Sequence, residues 1–186
     1  MRYFISDLHI GDKSPWDQFG DQKAGLLIRL LERIDRDMNH SGELILLGDI
    51  FDFILLTDPE TFPQKVDSAN IFAGVKKAYP DLFKAFREFI RSGNTLFYVW
   101  GNHDYPMRFK IHGQEFQKAV LDRFWDSKYR CQIWVSDYYI SRSHRLYAEH
   151  GHRYDPFNVH LGGNQAVLGT LLVSKFIRKW ETWKSS

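Results

Sequence analysis

Thr95-Leu96-Phe97-Tyr98-Val99-Trp100 runs directly into Gly101-Asn102-His103-Asp104. An apolar, aromatic and β-branched run closed by glycine predicts a buried strand, with the polar tetrad at its C-terminal end. Open α/β sheets keep their ligand-binding and catalytic groups at that end. Two earlier stretches are built alike: Tyr3-Phe4-Ile5-Ser6 leads into Asp7-Leu8-His9, and Leu44-Ile45-Leu46-Leu47 leads into Gly48-Asp49-Ile50-Phe51-Asp52. Carboxylates, imidazoles and an amide therefore gather at successive strand ends.

Between the first two strands, Gly11 to Gly20 has loop composition and is expected to overhang the site, since it leaves directly from Asp7 and His9. From Lys23 to Met38, Leu26, Leu27, Leu30, Leu31 and Ile34 recur at helical spacing, which predicts a helix packed on a sheet. Glu43 to Leu47 is too continuously apolar for a half-exposed strand, so it reads as a parallel strand covered on both faces. Thr57 to Asp67, with Pro59 and Pro63, reads as an irregular insertion. Helical spacing at Ile71, Val75 and Ala78 breaks at Pro80. It restarts with Asp81 as cap before Leu82, Phe83, Phe86, Phe89 and Ile90. The order β, α, β, α, β results.

Beyond Asp104 a loop from Tyr105 to Gly113 and a short helix from Glu115 to Trp125 are expected. Ile133-Trp134-Val135, Tyr138-Tyr139-Ile140-Ser141 and Leu146-Tyr147-Ala148-Glu149 then read as strands joined by short polar turns, with Arg142 to Arg145 as a hairpin connection. The last of them delivers His150-Gly151-His152. A final helix within His160 to Trp183 carries Leu168, Leu172, Phe176 and Trp180 beside Lys175, Arg178 and Lys179.

A chain of 186 residues suits one folded unit, here 1–186. With 25 basic and 23 acidic side chains the net charge of +2 is too small to argue for nucleic acid by itself. The lone Cys131 excludes an intrachain disulfide framework, and a strand starting almost at Met1 leaves no signal peptide in view, so a cytoplasmic location is expected. The longest stretch free of charged residues, Asn158 to Ser174, carries His160, Asn164, Gln165 and glycines and makes a poor membrane span.

A mixed set of carboxylates, imidazoles and an amide suits a first-row transition metal better than calcium. Two cations about 3.5–4 Å apart can hold a bridging hydroxide that attacks phosphorus, which leaves the protein to supply a proton to the departing oxygen. His103 is placed to do that.

The chain resembles the calcineurin-like metallophosphoesterases, whose blocks are D-x-H, G-D-x-x-D, G-N-H-[DE], a lone His and a late G-H-x-H. Asp7-Leu8-His9, Gly48 to Asp52, Gly101 to Asp104 and His150 supply all but the last. The resemblance implies an α/β/β/α sandwich with a C-terminal helical lid-like segment over 156–186. It implies two divalent metal ions, manganese first, with iron or zinc as alternatives: Asp7, His9 and Asp49 would hold one, and Asp49, Asn102 and His150 the other. His103 would be the proton donor, Asp52 its orienting carboxylate, and Asp104 a residue supporting the ligands from behind. Gly48-Asp49-Ile50-Phe51-Asp52 and the hairpin before His150-Gly151 are similar to the branch that contains the UDP-2,3-diacylglucosamine diphosphatases.

Two departures stand out. That branch usually has Arg where this chain has His103, so its lipid-linked substrate does not carry over directly. The late G-H-x-H block is absent, since no histidine follows His160. Three readings remain open. The chain ends within the lid, truncated before that block, which its closing amphipathic helix favours; the site is weakened; or Gly151-His152-Arg153-Tyr154 stands in.

Each motif alone has an innocent reading, such as a turn after a strand or a hydrogen-bonded hairpin histidine. Their order, each after an apolar strand, selects the metal site. The expected function is hydrolysis of a phosphoester or pyrophosphate in a small phosphorylated or nucleotide-linked substrate. A nuclease and a non-catalytic scaffold are the alternatives, so nucleic acid is a weaker partner class. The aromatic, basic C-terminal helix further admits a homo-oligomer face or a peripheral membrane contact.

Overall fold

The computed structural model describes residues 1–37, 39–57, 65–121, 129 and 132–159. β1 (Arg2–Ile5), β2 (Glu43–Leu47), β3 (Thr95–Val99) and β4 (Ile133–Ser136) form one sheet in the order β1-β2-β3-β4, with every neighbouring pair parallel. The connections hold α1 (Gly20–Asp37), α2 (Phe53–Leu56), α3 (Ser68–Ala78), α4 (Pro80–Arg91) and α5 (Lys110–Leu121). A sheet that grows one strand at a time in one direction, through crossovers of one hand, puts its helices on one face.

Side-chain alternation along the strands separates the two faces. Leu44, Leu46, Leu96 and Tyr98 point into a core shared with Leu27, Leu31 and Ile34 of α1, Phe72 of α3, Phe83 and Phe86 of α4 and Phe116 of α5. Ile45 and Val99 point the other way and pack on Tyr139. Tyr139 belongs to β5 (Tyr139–Ser141), which pairs antiparallel with β6 (Leu146–Ala148) as a separate ladder. The layers are thus helices, parallel sheet and a second β layer, a mixed α/β arrangement with a four-stranded parallel sheet flanked by helices.

Several local readings shift. Ile133-Trp134-Val135 does not begin a meander: β4 joins β3 in parallel, Ile133 opposite Leu96, and only then does the chain cross to the second ladder. Gly113 permits this, because Val135 packs where a side chain on α5 would stand. Pro80 opens α4 rather than merely breaking a helix, since the first helical position needs no N–H donor. The cap is Tyr79, and Asp81 lies in the first turn, where its charge suits the helix dipole. Tyr105–Arg108 is a 3-10 turn and α5 starts at Lys110, earlier than expected. The Gly11 to Gly20 loop folds back on itself: Asp17 accepts from the N–H groups of Gly11, Lys13 and Phe19 and from the Tyr79 hydroxyl between α3 and α4.

Cys131, most of the Pro59 and Pro63 insertion, and the stretch from His160 onward in which a helix is expected lie outside the described residues. No helix among those described is long and apolar enough to cross a membrane.

Candidate metal centre

The strand ends are tied together by their own backbones. Asp7 N–H donates to Gly48 O at 3.1 Å, His9 N–H to Asp49 O at 3.0 Å, Ile10 N–H to Ile50 O at 2.8 Å, and Asp52 N–H returns to Ile10 O at 3.2 Å. Asp7, His9 and Asp49 each take a left-handed backbone, with φ of 54°, 50° and 54°. That region disfavours side-chain-bearing residues, and such strain collects at functional sites. The apolar letters of the second motif explain how it is held. Ile50 and Phe51 are fully buried, and Phe51 sits among Phe72, Phe83, Tyr98 and Phe116. Asp49 and Asp52 bracket this peg and turn to the site.

Two groups of donors result. Asp7, Asp49 and His150 bring one ligand atom each within 4.8 Å of one another, and so do His9, Asp52 and His103. In the first group His150 Nδ1 lies 2.9 Å from Leu47 O. A carbonyl only accepts, so Nδ1 carries the proton and Nε2 is left facing Asp49 Oδ2, at 3.3 Å. In the second group Asp52 serves both imidazoles: Oδ2 meets His9 Nδ1 at 3.2 Å, and Oδ1 meets His103 Nδ1 at 3.1 Å. The two rings stand edge to face with centroids 4.6 Å apart. Both Nε2 atoms are thereby turned away from the carboxylate.

Two glycines make the approach possible. A Cβ at Gly48 would collide with the His150 ring, and one at Gly101 would collide with the Asp49 carboxylate. Asp104 lies beneath, with no exposure. It accepts from Ile50 N–H at 2.8 Å, the Tyr98 hydroxyl at 2.5 Å and Gly101 N–H at 2.5 Å, tying the loops after β2 and β3 to the core. Asn102 is buried with its Nδ2 toward Asn158 Oδ1 at 3.4 Å, which turns its own oxygen the other way. Asn158 is set by a turn in which Asp155 accepts from Phe157 N–H and Asn158 Nδ2.

The electrostatics follow from this crowding. Burial pushes the Asp49 carboxyl up, but the His150 hydrogen bond and the charges of His103 and His150 outweigh it, so it stays below the usual range. Asp52 is also held low: burial opposes ionisation, and the hydrogen bonds from His103 and His9 overcome it. Burial alone would lower the His150 imidazole; Asp49 raises it to about 9. His103 is raised in the same way by Asp52. Asp104, desolvated and beside the Asp49 charge, is pushed up to about 6.

All eight residues singled out in the motifs therefore converge at one end of the sheet, but grouped by contact rather than by motif: His9 addresses Asp52, and Asp7 stands with Asp49 and His150. His152 is buried against Trp100 and His150, with ring centroids 5.2 and 5.6 Å away. Sequence reasoning missed the Leu47 carbonyl, the Tyr98 hydroxyl and Asn158. Only the last left a signal, the turn-forming Asp155-Pro156-Phe157-Asn158. Mixed nitrogen and oxygen donors with fixed tautomers fit first-row divalent cations.

A family model described as calcineurin-like phosphoesterase matches residues 3–184. Searches of curated proteins and of solved structures returned no match.

Proposed function

The chain belongs to the calcineurin-like phosphoesterase family, and from that premise we propose that it is a dinuclear metal-dependent hydrolase of a phosphoester or pyrophosphate bond. The observation that carries this reading is the convergence of Asp7, Asp49 and His150 beside His9, Asp52 and His103, from the ends of β1, β2, β3 and β6. Asp7, His9, Asp49, Asn102 and His150 would hold the ions, manganese first among them. When bound, they supply Lewis-acid charge and activate water as the nucleophile.

The chain's own groups do the rest. Leu47 O fixes the His150 tautomer and so presents Nε2. Asp49 lies between the motifs, its Oδ1 accepting from His103 N–H at 2.8 Å while Oδ2 faces His150. Asp52 holds His103 by Nδ1, which leaves Nε2 to deliver a proton to the departing oxygen. Asp104 keeps the Gly101 turn in place. The Gly48 to Asp52 block and the hairpin before His150 support a position near the UDP-2,3-diacylglucosamine diphosphatase-like branch, with a small phosphorylated or nucleotide-linked substrate in the cytoplasm.

Elemental analysis with a manganese-dependent assay on bis(p-nitrophenyl) phosphate tests the assignment. Asp49→Ala is expected to lose bound metal. His103→Gln is expected to keep it while turnover falls by roughly 10²-fold or more. Equal metal loss in both variants would remove the proton-donor role, and a metal-free, inactive wild type would remove the hydrolase reading.

A further inference from the structure

Beside the metal centre lies a pocket of about 510 Å³ whose walls include Trp100, Arg108, Phe109, Asp137, His152 and Arg153. It is continuous with the site through the chain: Trp100 immediately precedes Gly101-Asn102-His103, and the His152 ring rests against His150 with centroids 5.6 Å apart. Its aromatic faces are already covered. The Arg153 guanidinium lies over Trp100 at 5.0 Å, and the Arg108 guanidinium lies over Phe109 at 4.6 Å and near Tyr105 at 5.2 Å. Stacked guanidiniums are held in place at low entropic cost and present their charge to the pocket. Among the described wall residues the one carboxylate, Asp137, takes Trp100 Nε1–H at 3.0 Å and Arg153 at 3.1 Å, so its repulsion of an anion is offset. Two ordered arginines against one engaged carboxylate favour an anionic group over a bare aromatic ring.

We infer that this pocket is a specificity subsite, in which Arg108 and Arg153 bind a second anionic group of the substrate, carried on the far side of the phosphorus that is attacked. The inference rests on the hydrolase reading for the position of that phosphorus, not for the pocket itself. Hydrolysis forms one P–O bond to the water oxygen and breaks the P–O bond to the leaving oxygen; the arginines hold the charged portion through that step without exchanging a proton.

Calorimetric titration of the full chain with ADP and with AMP, in manganese buffer, tests it. Wild type is expected to bind ADP at least about tenfold more tightly than AMP. Arg108→Gln and Arg153→Gln are each expected to reduce that preference by about tenfold, the effect of losing one charge-assisted contact. Manganese affinity of the nucleotides is common to all the proteins and cancels when each variant's preference is compared with that of wild type. Arg108→Lys, which keeps the charge, should retain part of the preference, and this separates a charge effect from misfolding. Equal affinities in wild type, pointing to base stacking or no subsite, or a preference that survives both glutamine substitutions, would overturn the inference. An arginine-dependent preference in a protein that holds no metal and hydrolyses no bis(p-nitrophenyl) phosphate would sustain the pocket and sink the hydrolase reading. Hydrolysis without arginine dependence would do the reverse.

Discussion

The two faces of the parallel sheet are stabilised differently, and the candidate metal centre draws on both. On the helical face, fully buried rings at Phe51, Phe72, Phe83, Phe86, Tyr98 and Phe116 form a continuous aromatic core. On the other face, among the described residues, only Ile45, Val99 and Tyr139 are buried together, and the β5–β6 ladder turns Ile140 and Tyr147 outward. Asp7, Asp49, Asn102 and His103 stand on loops anchored to the first face. His150 stands at the end of β6, on the second. Position on one side comes from apolar packing, and on the other from a few polar contacts.

The largest expected effect comes where the two sides meet. Gly101→Ala places a methyl against the Asp49 carboxylate and 2.8 Å from His150 Cδ2. Both cannot keep their places, so metal affinity should fall by on the order of a hundredfold, the upper end for loss of a supporting contact at a metal site. Far-ultraviolet circular dichroism should stay native while elemental analysis shows the loss. Unchanged metal content would mean that the His150 side yields without consequence, which would break the comparison.

Next in size is Phe51→Ala, a truncation at the hub of the aromatic core. Removing a buried phenylalanine typically costs about 3–5 kcal/mol, readable in urea unfolding. Because Phe51 is flanked by Ile50 and Asp52 in the motif, the same change should loosen Asp49 and Asp52 and weaken metal binding with it. A stability loss with intact metal affinity would separate the core from the site.

The contrast between the faces also explains what could be read in advance. Strands covered on both sides carry continuous apolar runs, so Glu43 to Leu47 and Thr95 to Val99 identified themselves. The polar letters after them could be placed too, because a strand end is defined locally. What stayed hidden depends on contacts distant in sequence. Nothing near Asp52 indicates that His9 and His103 share it, and nothing near Leu47 indicates that its carbonyl orients His150. The gap between Val135 and Tyr138 is as short as a hairpin turn, so the switch from the first sheet to the second there leaves no local mark.

A third effect is pH-dependent and belongs to the His150 side. In metal-free protein the imidazole, raised to about 9 by Asp49, binds its proton more tightly than in the unfolded chain, where the value is about 6.5. The pair therefore contributes fully below about pH 6.5, and that contribution is lost as pH rises through about 9. For this covered pair, on the order of 1–3 kcal/mol is at stake. Urea titrations of metal-free protein at pH 6.5 and 9.5 should differ by that amount more in wild type than in His150→Gln. Manganese binding should release a proton in the same range, since a ligating imidazole must be neutral.

The smallest effect probes the polar anchor of the second face directly. The Tyr139 hydroxyl accepts from Arg2 Nε at 2.5 Å and donates to Glu43 Oε2 at 2.8 Å, while Arg2 also pairs with Glu43 and reaches His144 Nδ1 at 3.1 Å. This cluster clamps the hairpin to the first residues of β1 and β2. The Tyr139 ring packs independently, edge-on against Phe97 at 4.9 Å and Phe4 at 5.7 Å. Tyr139→Phe keeps the ring and removes only the hydroxyl, so global stability should fall by about 0.5–1.5 kcal/mol, the net worth of a hydrogen bond. If polar contacts position the second face, hydrogen exchange should quicken at β5 and β6 amides and leave α1 and α4 unchanged, because local opening follows the contacts that hold each unit. Metal affinity should then drop slightly, through His150 alone. Uniform quickening across both faces would show that the ladder unfolds with the core as one unit, and that apolar packing, small as it is there, already holds His150 in place.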